Sequence, residues 1–329
     1  MRPAHGEQSA LRSRRRFLLV CVSLAVLFCA LYFPFRFGGW TEVDNGWTSD
    51  GAAASGLSLR GVPAAYETPC SRPGTVVPFT YTASLRERPE VTDVRTVYVY
   101  LPYGYETRED GSTYDVLYLL HGSKDSASSW LVDRPVHRNV VDNLIARGEI
   151  RPLIIVTPDL FEPDSFGLDG DEELDQFAFE LREQIIPAVE NAFACATLTE
   201  EARSHRLLAG VSRGALAVFR AGLTDGLDLF SRFGVFSGML TDPAAVAEGM
   251  ERPEFRSYAI DGLYAFNGFF DYTFYEHGFR LTMLDGMSDR ITKGENYEFF
   301  LIEKGEHTWP SWEVALYDFL LLACPAAAE

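Results

Sequence analysis

The chain has 329 residues, of which 47% are hydrophobic, and it carries a formal net charge of −18 at pH 7. A chain of this length and apolar content can bury a large core, so we do not expect intrinsic disorder. The negative charge argues against nucleic acid and anionic membrane surfaces as partners, because both repel it.

The first predicted element is an apolar segment, 17–33, that follows a basic stretch, 1–16, with five arginines. This order is typical of an export signal or a membrane anchor, and the arginines should stay on the cytoplasmic side. The segment is at the short end of what spans a bilayer, and cleavage and retention both stay open. Residues 13–18 also resemble a twin-arginine export signal. We expect export, with membrane contact through this segment only.

Residues 34–69 are rich in small and acidic residues without a sustained period, and we interpret them as a linker to a catalytic domain over 70–329. Three cysteines lie beyond the apolar segment, at Cys70, Cys195 and Cys324. In an exported protein two of them could form a disulfide, and the sequence does not choose the pair. Their spacing matches no zinc pattern, so we expect no metal.

Seven short apolar runs rich in β-branched and aromatic residues predict strands, and helical patterns separate most of them. This alternation indicates an α/β domain with a mostly parallel sheet and helices on both faces. The predicted strands are 94–101, 115–120, 152–157, 206–211, 233–237, 263–267 and 297–303. The predicted helices are 136–147, 173–193, 213–223 and 311–323.

A serine between two glycines ends the predicted strand 206–211, where Gly210, Ser212 and Gly214 form a Gly-x-Ser-x-Gly motif. A helical pattern follows directly. This motif exposes a nucleophilic serine when it lies in a sharp turn between a strand and a helix. The two glycines make the turn possible because they relieve crowding of the backbone. A surface-turn serine is the alternative, since the motif also arises by chance. The context favours Ser212 as a nucleophile.

A serine hydroxyl needs a general base within hydrogen-bond reach, and His307 follows the last predicted strand, where this base is expected. The third member should be an acid after the preceding strand, and Asp271 has that position. The result is the chain order Ser, Asp, His. Four other histidines have less suitable positions, at His5, His137, His205 and His277. The competing carboxylates are Asp261, Asp285 and Glu276.

A developing oxyanion needs two backbone N–H donors, and one normally belongs to the residue after the nucleophile. That residue is Arg213. The second donor should come from the turn after a central strand, where His121 and Gly122 precede Ser123. We therefore predict an oxyanion hole made by the amides of Ser123 and Arg213.

Together these segments resemble the extracellular feruloyl-esterase and esterase-D-like branch of the α/β hydrolases. The resemblance covers about 70–323 and implies the α/β-hydrolase fold. It also implies hydrolysis of carboxylic esters, in the best-known members hydroxycinnamate esters on plant xylan, with Ser212, Asp271 and His307 at the triad positions. It rests on VYVYLPYGYE (97–106), DVLYLLHGSKDSASSW (115–130), NVVDNLIARGEIRPLIIVTP (139–158), FELREQIIPAVE (179–190), AGVSRGA (209–215) and GEHTWPSW (305–312).

Two departures from the family pattern concern the site. The residue after the nucleophile is usually apolar, but here it is Arg213. Its charge could recruit an acidic substrate group, or a carboxylate such as Asp159 could neutralise it, and we favour the internal pair. The surroundings of Asp271, NGFFDYTFYEHG, are more aromatic than the family's usual pattern.

Three tryptophans, Trp130, Trp309 and Trp312, match family positions near the active-site loops. They could stack on a sugar or an aromatic acyl group, and packing in the core is the alternative. The sequence has no nicotinamide fingerprint and no phosphate loop, so we expect no cofactor.

The sequence therefore predicts an extracytoplasmic serine carboxylesterase, with feruloyl or acetyl esters on plant polysaccharide as candidate substrates. A mycolyltransferase-like acyltransferase at the cell envelope is the first alternative, because it would use the same acyl-enzyme. The second is a non-catalytic surface binding protein that kept the fold. An intact triad argues against the second alternative.

Overall fold

The computed structural model describes residues 58–59, 61–107, 113–160, 170–195 and 202–326. Leu57–Glu329 forms one compact unit, which contains the whole described sheet and both hydrophobic clusters and therefore has a core of its own. The predicted basic stretch 1–16 and apolar segment 17–33 lie outside the described residues. Within the ranges that are described, no helix is long and apolar enough to cross a membrane.

Among the described residues, nine strands form a single sheet with the order β1-β9-β8-β7-β6-β4-β5-β3-β2. β2 pairs antiparallel with β3 and β3 with β5, whereas every other pair is parallel. All seven predicted strands are present, and two further strands, β1 and β2, were not predicted. The strands are β1 (Ser58–Leu59), β2 (Thr75–Ser84), β3 (Thr92–Leu101), β4 (Asp115–Leu120), β5 (Leu153–Thr157), β6 (Arg206–Val211), β7 (Arg232–Phe236), β8 (Gly262–Gly268) and β9 (Tyr297–Ile302).

In the part of the chain that the structure describes, eight α-helices surround the sheet, and two π-helical segments, Leu181–Ile185 and Val218–Thr224, continue two of them. The four predicted helices are present, with 173–193 and 213–223 each containing one π segment. Short 3₁₀ turns lie at Tyr105–Thr107, Ala202–His205 and Pro253–Phe255. The α-helices are α1 (Ala64–Glu67), α2 (Pro135–Ala146), α3 (Gly170–Glu180), α4 (Ile186–Ala192), α5 (Arg213–Ala217), α6 (Pro243–Met250), α7 (Phe274–Asp285) and α8 (Trp309–Ala323).

Two longer helices, α6 and α7, were missed from the sequence. The start of α6 carries a clear signal, because Asp242 accepts hydrogen bonds from two backbone N–H groups and Pro243 occupies the first helical position. The pattern of α7 is different. Its outer positions carry large apolar side chains, so it shows no ordinary alternation between a buried apolar face and a polar face.

The packed unit begins before residue 70, which the sequence analysis gave as the start of the catalytic domain. β1 pairs in parallel with β9, and Tyr66 of α1 is buried with its hydroxyl bonded to Glu149 at 2.7 Å. Two strand residues and one helical turn are too short to produce a period in the sequence. Ser58–Leu59 and Ala64–Glu67 therefore belong to the folded unit and not to a linker.

The core consists of one apolar layer on each face of the sheet. Along β4, Val116, Tyr118 and Leu120 belong to one layer and Leu117 and Leu119 to the other, and all five are fully buried. A strand covered on both faces needs a continuous apolar run, which is why β4 and β6 were readable from the sequence. Helices α3, α6 and α7 cover the first face, and α2 and α8 cover the second.

The aromatic packing under α8 gives a stability prediction. Phe319 is fully buried, with its ring 5.7 Å from Phe236 and 6.1 Å from Tyr264. We expect Phe319→Ala to lower the free energy of unfolding by about 3–5 kcal/mol, because it leaves a cavity in the core. Urea unfolding followed by circular dichroism measures this loss. Phe270→Ala removes an exposed ring and should cost about 0.5 kcal/mol or less. Equal losses for the two variants would contradict this packing.

Candidate active site

Ser212 lies in a sharp turn between β6 and α5, with φ 54° and ψ −115°. A positive φ is costly for a residue with a side chain and persists only where the surroundings hold it. The Ser212 N–H donates to the Phe236 carbonyl at 2.9 Å, which fixes the turn to β7. The side chain is half-buried at the carboxyl edge of the sheet.

The two glycines of the motif are required by close backbone contacts. A Cβ atom at Gly210 would lie 2.5 Å from the Gly214 carbonyl oxygen, and one at Gly214 would lie 2.5 Å from the His121 carbonyl oxygen. Both distances are far below van der Waals contact, and the opposing atoms belong to the backbone. The strand, the helix and the β4 turn can therefore meet under Ser212 only if both positions lack a side chain.

His307 lies in the connection between β9 and α8 and contacts the two other predicted triad members. Its Nε2 is 3.1 Å from Ser212 Oγ, and its Nδ1 is 3.0 Å and 3.1 Å from the two carboxylate oxygens of Asp271. With the proton on Nδ1, this nitrogen donates to Asp271 while Nε2 accepts from the serine hydroxyl. The structure thus brings together three side chains that are far apart in the sequence.

The His307 ring is held between aromatic side chains. The ring of Trp312 meets it edge-on with centroids 5.3 Å apart, and the ring of Tyr272 lies 4.5 Å away. Trp312 is buried, whereas Tyr272 is exposed. The imidazole therefore has a fixed orientation and keeps one exposed aromatic neighbour at the mouth of the site.

Asp271 follows β8, and its side chain is fully buried. Burial raises the pKa of this carboxyl, but hydrogen bonds from His307, Ser237 and Thr273 outweigh that effect and hold the pKa at about 2. The backbone N–H and hydroxyl of Thr273 both donate to Oδ1 at 2.8 Å. The carboxylate is therefore ionised throughout the neutral range.

Several residues that support Asp271 were missed by the sequence analysis. Asp271 and Thr273 form an Asp-x-Thr turn in which the carboxylate accepts a backbone N–H two residues on, and this signal was readable. Ser237 and Asn267 had no such signal. Ser237 has φ 46° and accepts a hydrogen bond from the Trp312 ring N–H at 3.1 Å. Asn267 donates to the Thr273 hydroxyl at 2.9 Å.

The predicted oxyanion turn passes directly beside the serine. A Cβ atom at Gly122 would lie 3.3 Å from Ser212 Cβ, so the backbone between His121 and Ser123 borders Ser212. The two ring nitrogens of His121 are each 2.8 Å from an acceptor, one from the Gly122 carbonyl and one from Asp159. This ring fixes the turn that carries the Ser123 amide.

Arg213 forms an internal ion pair, but the predicted partner was wrong. Its Nη2 lies 2.5 Å from Glu173 Oε2 and 3.3 Å from the Gly170 carbonyl oxygen, both on α3. Asp159 is bound instead to His121. The sequence could not show that α3 lies across the start of α5. Since a carboxylate already neutralises Arg213, its charge is less available to a substrate.

Two of the three tryptophans belong to the packed interior. Trp130 is fully buried and donates its ring N–H to the Leu120 carbonyl at 3.1 Å, and Trp312 is 6% exposed. Trp309 is half-buried, meets both rings edge-on, and lies under the guanidinium of Arg134 at 3.7 Å. Trp130 and Trp312 therefore pack in the core, which was the alternative to substrate binding, and a substrate cannot stack on either.

The three cysteines of the unit are all free thiols. Cys195 and Cys324 are buried, and Cys70 is half-buried. Burial raises the pKa of Cys195 and of Cys324 to about 12, so both thiols are neutral. The disulfide that the sequence allowed among them is not formed.

Comparison with known proteins defines the family. The family described as "Putative esterase" matches residues 89–259, just over half of the chain. The chain belongs to this esterase family. The matched region includes Ser212, Arg213 and Ser123 and ends before Asp271 and His307.

Among curated proteins, the chain is similar to "Endo-1,4-beta-xylanase Y" of Acetivibrio thermocellus, with 30% identity over 192 residues, 56% of this chain and 16% of that protein. It is also similar to "Endo-1,4-beta-xylanase/feruloyl esterase" of Xylanibacter ruminicola, with 33% identity over 162 residues, 46% of this chain and 22% of that protein. The chain thus spans less than a quarter of the length of these two relatives.

Among solved structures, the chain resembles a mutant of the feruloyl esterase module from Clostridium thermocellum complexed with sinapinate. The TM-score is 0.69 at 22% identity, and the match covers 82% of this chain and 94% of the other. This likeness and the sheet topology show that the chain has the α/β-hydrolase fold.

The low pKa of Asp271 gives a prediction for stability against pH. A carboxyl with its pKa lowered from 3.8 to about 2 stabilises the fold above the unfolded value, and this contribution is lost as the pH falls through about 2. We expect Asp271→Asn to lower the free energy of unfolding by about 2 kcal/mol at pH 7 and by about half as much at pH 3.

Urea unfolding at the two pH values measures this difference. Asp289→Asn, at an exposed carboxylate, is the matched control and should cost little at either pH. The same loss at pH 7 and pH 3 for Asp271→Asn would show that the hydrogen bonds to this carboxylate do not lower its pKa.

Proposed function

We propose that this protein is a serine carboxylesterase that hydrolyses carboxylic esters through an acyl-enzyme on Ser212. The observation that carries the proposal is the hydrogen-bonded series from Ser212 Oγ through the His307 ring to Asp271, with distances of 3.1 Å and 3.0 Å. Membership of the esterase family supports it. Nucleophile, base and orienting acid in this order are the arrangement that activates a serine hydroxyl.

In the proposed acylation step, Ser212 Oγ attacks the ester carbonyl carbon while His307 Nε2 accepts the hydroxyl proton. The tetrahedral intermediate then collapses, the bond to the alcohol oxygen breaks, and His307 returns the proton to that oxygen. Asp271 stays ionised, because its pKa is about 2, and stabilises the imidazolium that forms during the step. The products of this half-reaction are the alcohol and an acyl group bound to Ser212.

In deacylation the same residues act on water. His307 accepts a proton from a water molecule as its oxygen attacks the acyl carbon, and it then returns that proton to Ser212 Oγ. The carboxylic acid leaves and the free serine is restored. In both half-reactions we assign the oxyanion to the backbone amides of Arg213 and Ser123, which belong to the two turns that border Ser212.

For substrate and location we propose a finer assignment. Feruloyl or acetyl esters on plant polysaccharide are supported by the printed name of the Xylanibacter relative, which includes feruloyl esterase. The exposed ring of Tyr272 beside His307 also offers an aromatic surface at the mouth of the site. The apolar segment 17–33, preceded by arginines, supports export with either retention or cleavage of this segment.

The triad is tested by substitution and by a fluorophosphonate probe. We expect the probe to label the wild type and not Ser212→Ala, since phosphonylation requires the serine oxygen. We expect Ser212→Ala and His307→Ala each to lower kcat/KM by about ten-thousandfold, measured with p-nitrophenyl acetate and with methyl ferulate. His205→Ala removes a histidine outside the site and should keep full activity.

An unlabelled wild type, or labelling that persists in Ser212→Ala, would refute the catalytic proposal. Turnover of p-nitrophenyl acetate without turnover of methyl ferulate would leave the esterase assignment and refute the feruloyl ester as substrate.

The role of Ser123 is assigned to its backbone N–H and not to its hydroxyl. We expect Ser123→Ala to keep nearly full activity, whereas Ser123→Pro, which has no N–H, should lower kcat by about 10²- to 10³-fold. Both variants are compared with p-nitrophenyl acetate, after circular dichroism shows that they are folded. A large loss in Ser123→Ala would assign the role to the side chain instead.

A further inference from the structure

Six large apolar side chains lie exposed beside the proposed active site. They are between 37% and 75% exposed, and they occupy the β8–α7 connection and the outer side of α7. Single exposed apolar residues are ordinary, but a contiguous group marks an interaction surface. We call this group the aromatic face: Phe269, Phe270, Tyr272, Tyr275, Phe279 and Met283.

One end of the aromatic face, Tyr272, lies at the site, and its other members are close to Tyr272 in the chain. Phe269 packs edge-on against Phe270, with ring centroids 5.2 Å apart, and lies 6.0 Å from Phe274, which is in turn 5.0 Å from Tyr275. At the other end, the Tyr272 ring is 4.5 Å from that of His307. A partner bound to this face at Tyr272 would therefore lie next to His307.

Helix α7 contributes a full apolar stripe to this surface. Tyr275, Phe279 and Met283 are spaced four residues apart and so follow one side of the helix. Its opposite side, with Leu281 and Leu284, is buried in the core. A solvent-facing helix normally carries charged residues at such outer positions.

The charges next to the stripe neutralise each other. Glu276 and Arg280 form an ion pair at 2.6 Å, one helical turn apart, and Arg280 also donates to the Thr241 carbonyl. This pair adds no net charge to the surface, although the whole chain carries −18. A partner for this face is therefore expected to be apolar and without a strong net charge.

The chain joins the fold at the same edge of the sheet. Ser58 pairs with Leu301 near the end of β9, and the Phe269 N–H donates to the Ile302 carbonyl at 3.1 Å. Position 58 is thus about two strand spacings, or roughly 10 Å, from the start of the aromatic face. The apolar segment 17–33 is connected to this point through 34–57, a length of chain that reaches at most about 86 Å.

We propose that the aromatic face docks on a zwitterionic phospholipid surface without net charge, as a second membrane contact in addition to the one expected from segment 17–33. Phenylalanine and methionine side chains enter the acyl boundary of such a surface, while tyrosine hydroxyls stay at the headgroups. The net charge of −18 disfavours anionic lipids. A polysaccharide is the weaker candidate, because the methionine and phenylalanines of this face offer no hydrogen bonds to sugar hydroxyls. If the proposed esterase function holds, docking presents Ser212 to esters carried in the lipid surface.

The test uses fragment 57–329, which contains the whole folded unit and lacks segment 17–33. We expect the fragment to sediment with phosphatidylcholine vesicles, and Tyr275→Ser/Phe279→Ser to lower its vesicle partition coefficient by about tenfold or more. The matched control, Val94→Ser/Tyr103→Ser, removes two equally exposed apolar side chains elsewhere and should bind as the wild type. Both double variants are compared by thermal unfolding, because exposed positions should not affect folding.

The same assay is run on Ser212→Ala, which should bind vesicles as the wild type does. Vesicle binding and ester hydrolysis are thereby measured separately, so a failure of the docking proposal can be distinguished from a failure of the esterase proposal. A wild-type fragment that stays in the supernatant, or equal binding of both double variants, would overturn the proposal. The proposal would also be overturned if the wild-type fragment bound xylan or formed a dimer instead of binding vesicles, and if Tyr275→Ser/Phe279→Ser abolished that xylan binding or that dimer.

Discussion

The site depends on the close backbone contact between β6, the start of α5 and the β4 turn. Gly210 and Gly214 allow that contact, and the chain between them is forced into the positive φ of Ser212. This conformation costs free energy locally, and the surrounding parallel sheet holds it. Once the turn is fixed, the hydroxyl lies beyond the carboxyl edge of the sheet, where the connections after β8 and β9 can reach it.

The parallel order of β6, β7, β8 and β9 explains how distant residues meet. Each of these strands ends at the same edge, so the residues that follow them share one surface. Ser237 follows β7, Asp271 follows β8 and His307 follows β9. The hydrogen bonds around Asp271 keep it ionised despite burial, and its charge then fixes the His307 ring. The electrostatics of the site are therefore a consequence of strand order.

Much of this arrangement could be predicted from the sequence. The doubly covered strands β4 and β6 are continuous apolar runs, and positions after strand ends pointed to Ser212, Asp271 and His307. The partner of Arg213 could not be predicted, because it depends on how α3 lies across the sheet. Helix α7 escaped detection since its exposed side carries three large apolar side chains, Tyr275, Phe279 and Met283. The amphipathic pattern that predicts a surface helix requires polar residues on its outer face, and these three exposed residues break that pattern.

The aromatic face and the proposed triad meet where the Tyr272 and His307 rings lie 4.5 Å apart. The account nevertheless rests on Ser212 as the nucleophile. A crystal structure of the protein after reaction with a phosphonate ester tests this most directly. The account predicts a covalent bond from phosphorus to Ser212 Oγ, with the phosphoryl oxygen accepting from the amides of Arg213 and Ser123. Phosphorus bound to another residue, or its oxygen turned away from both amides, would contradict it.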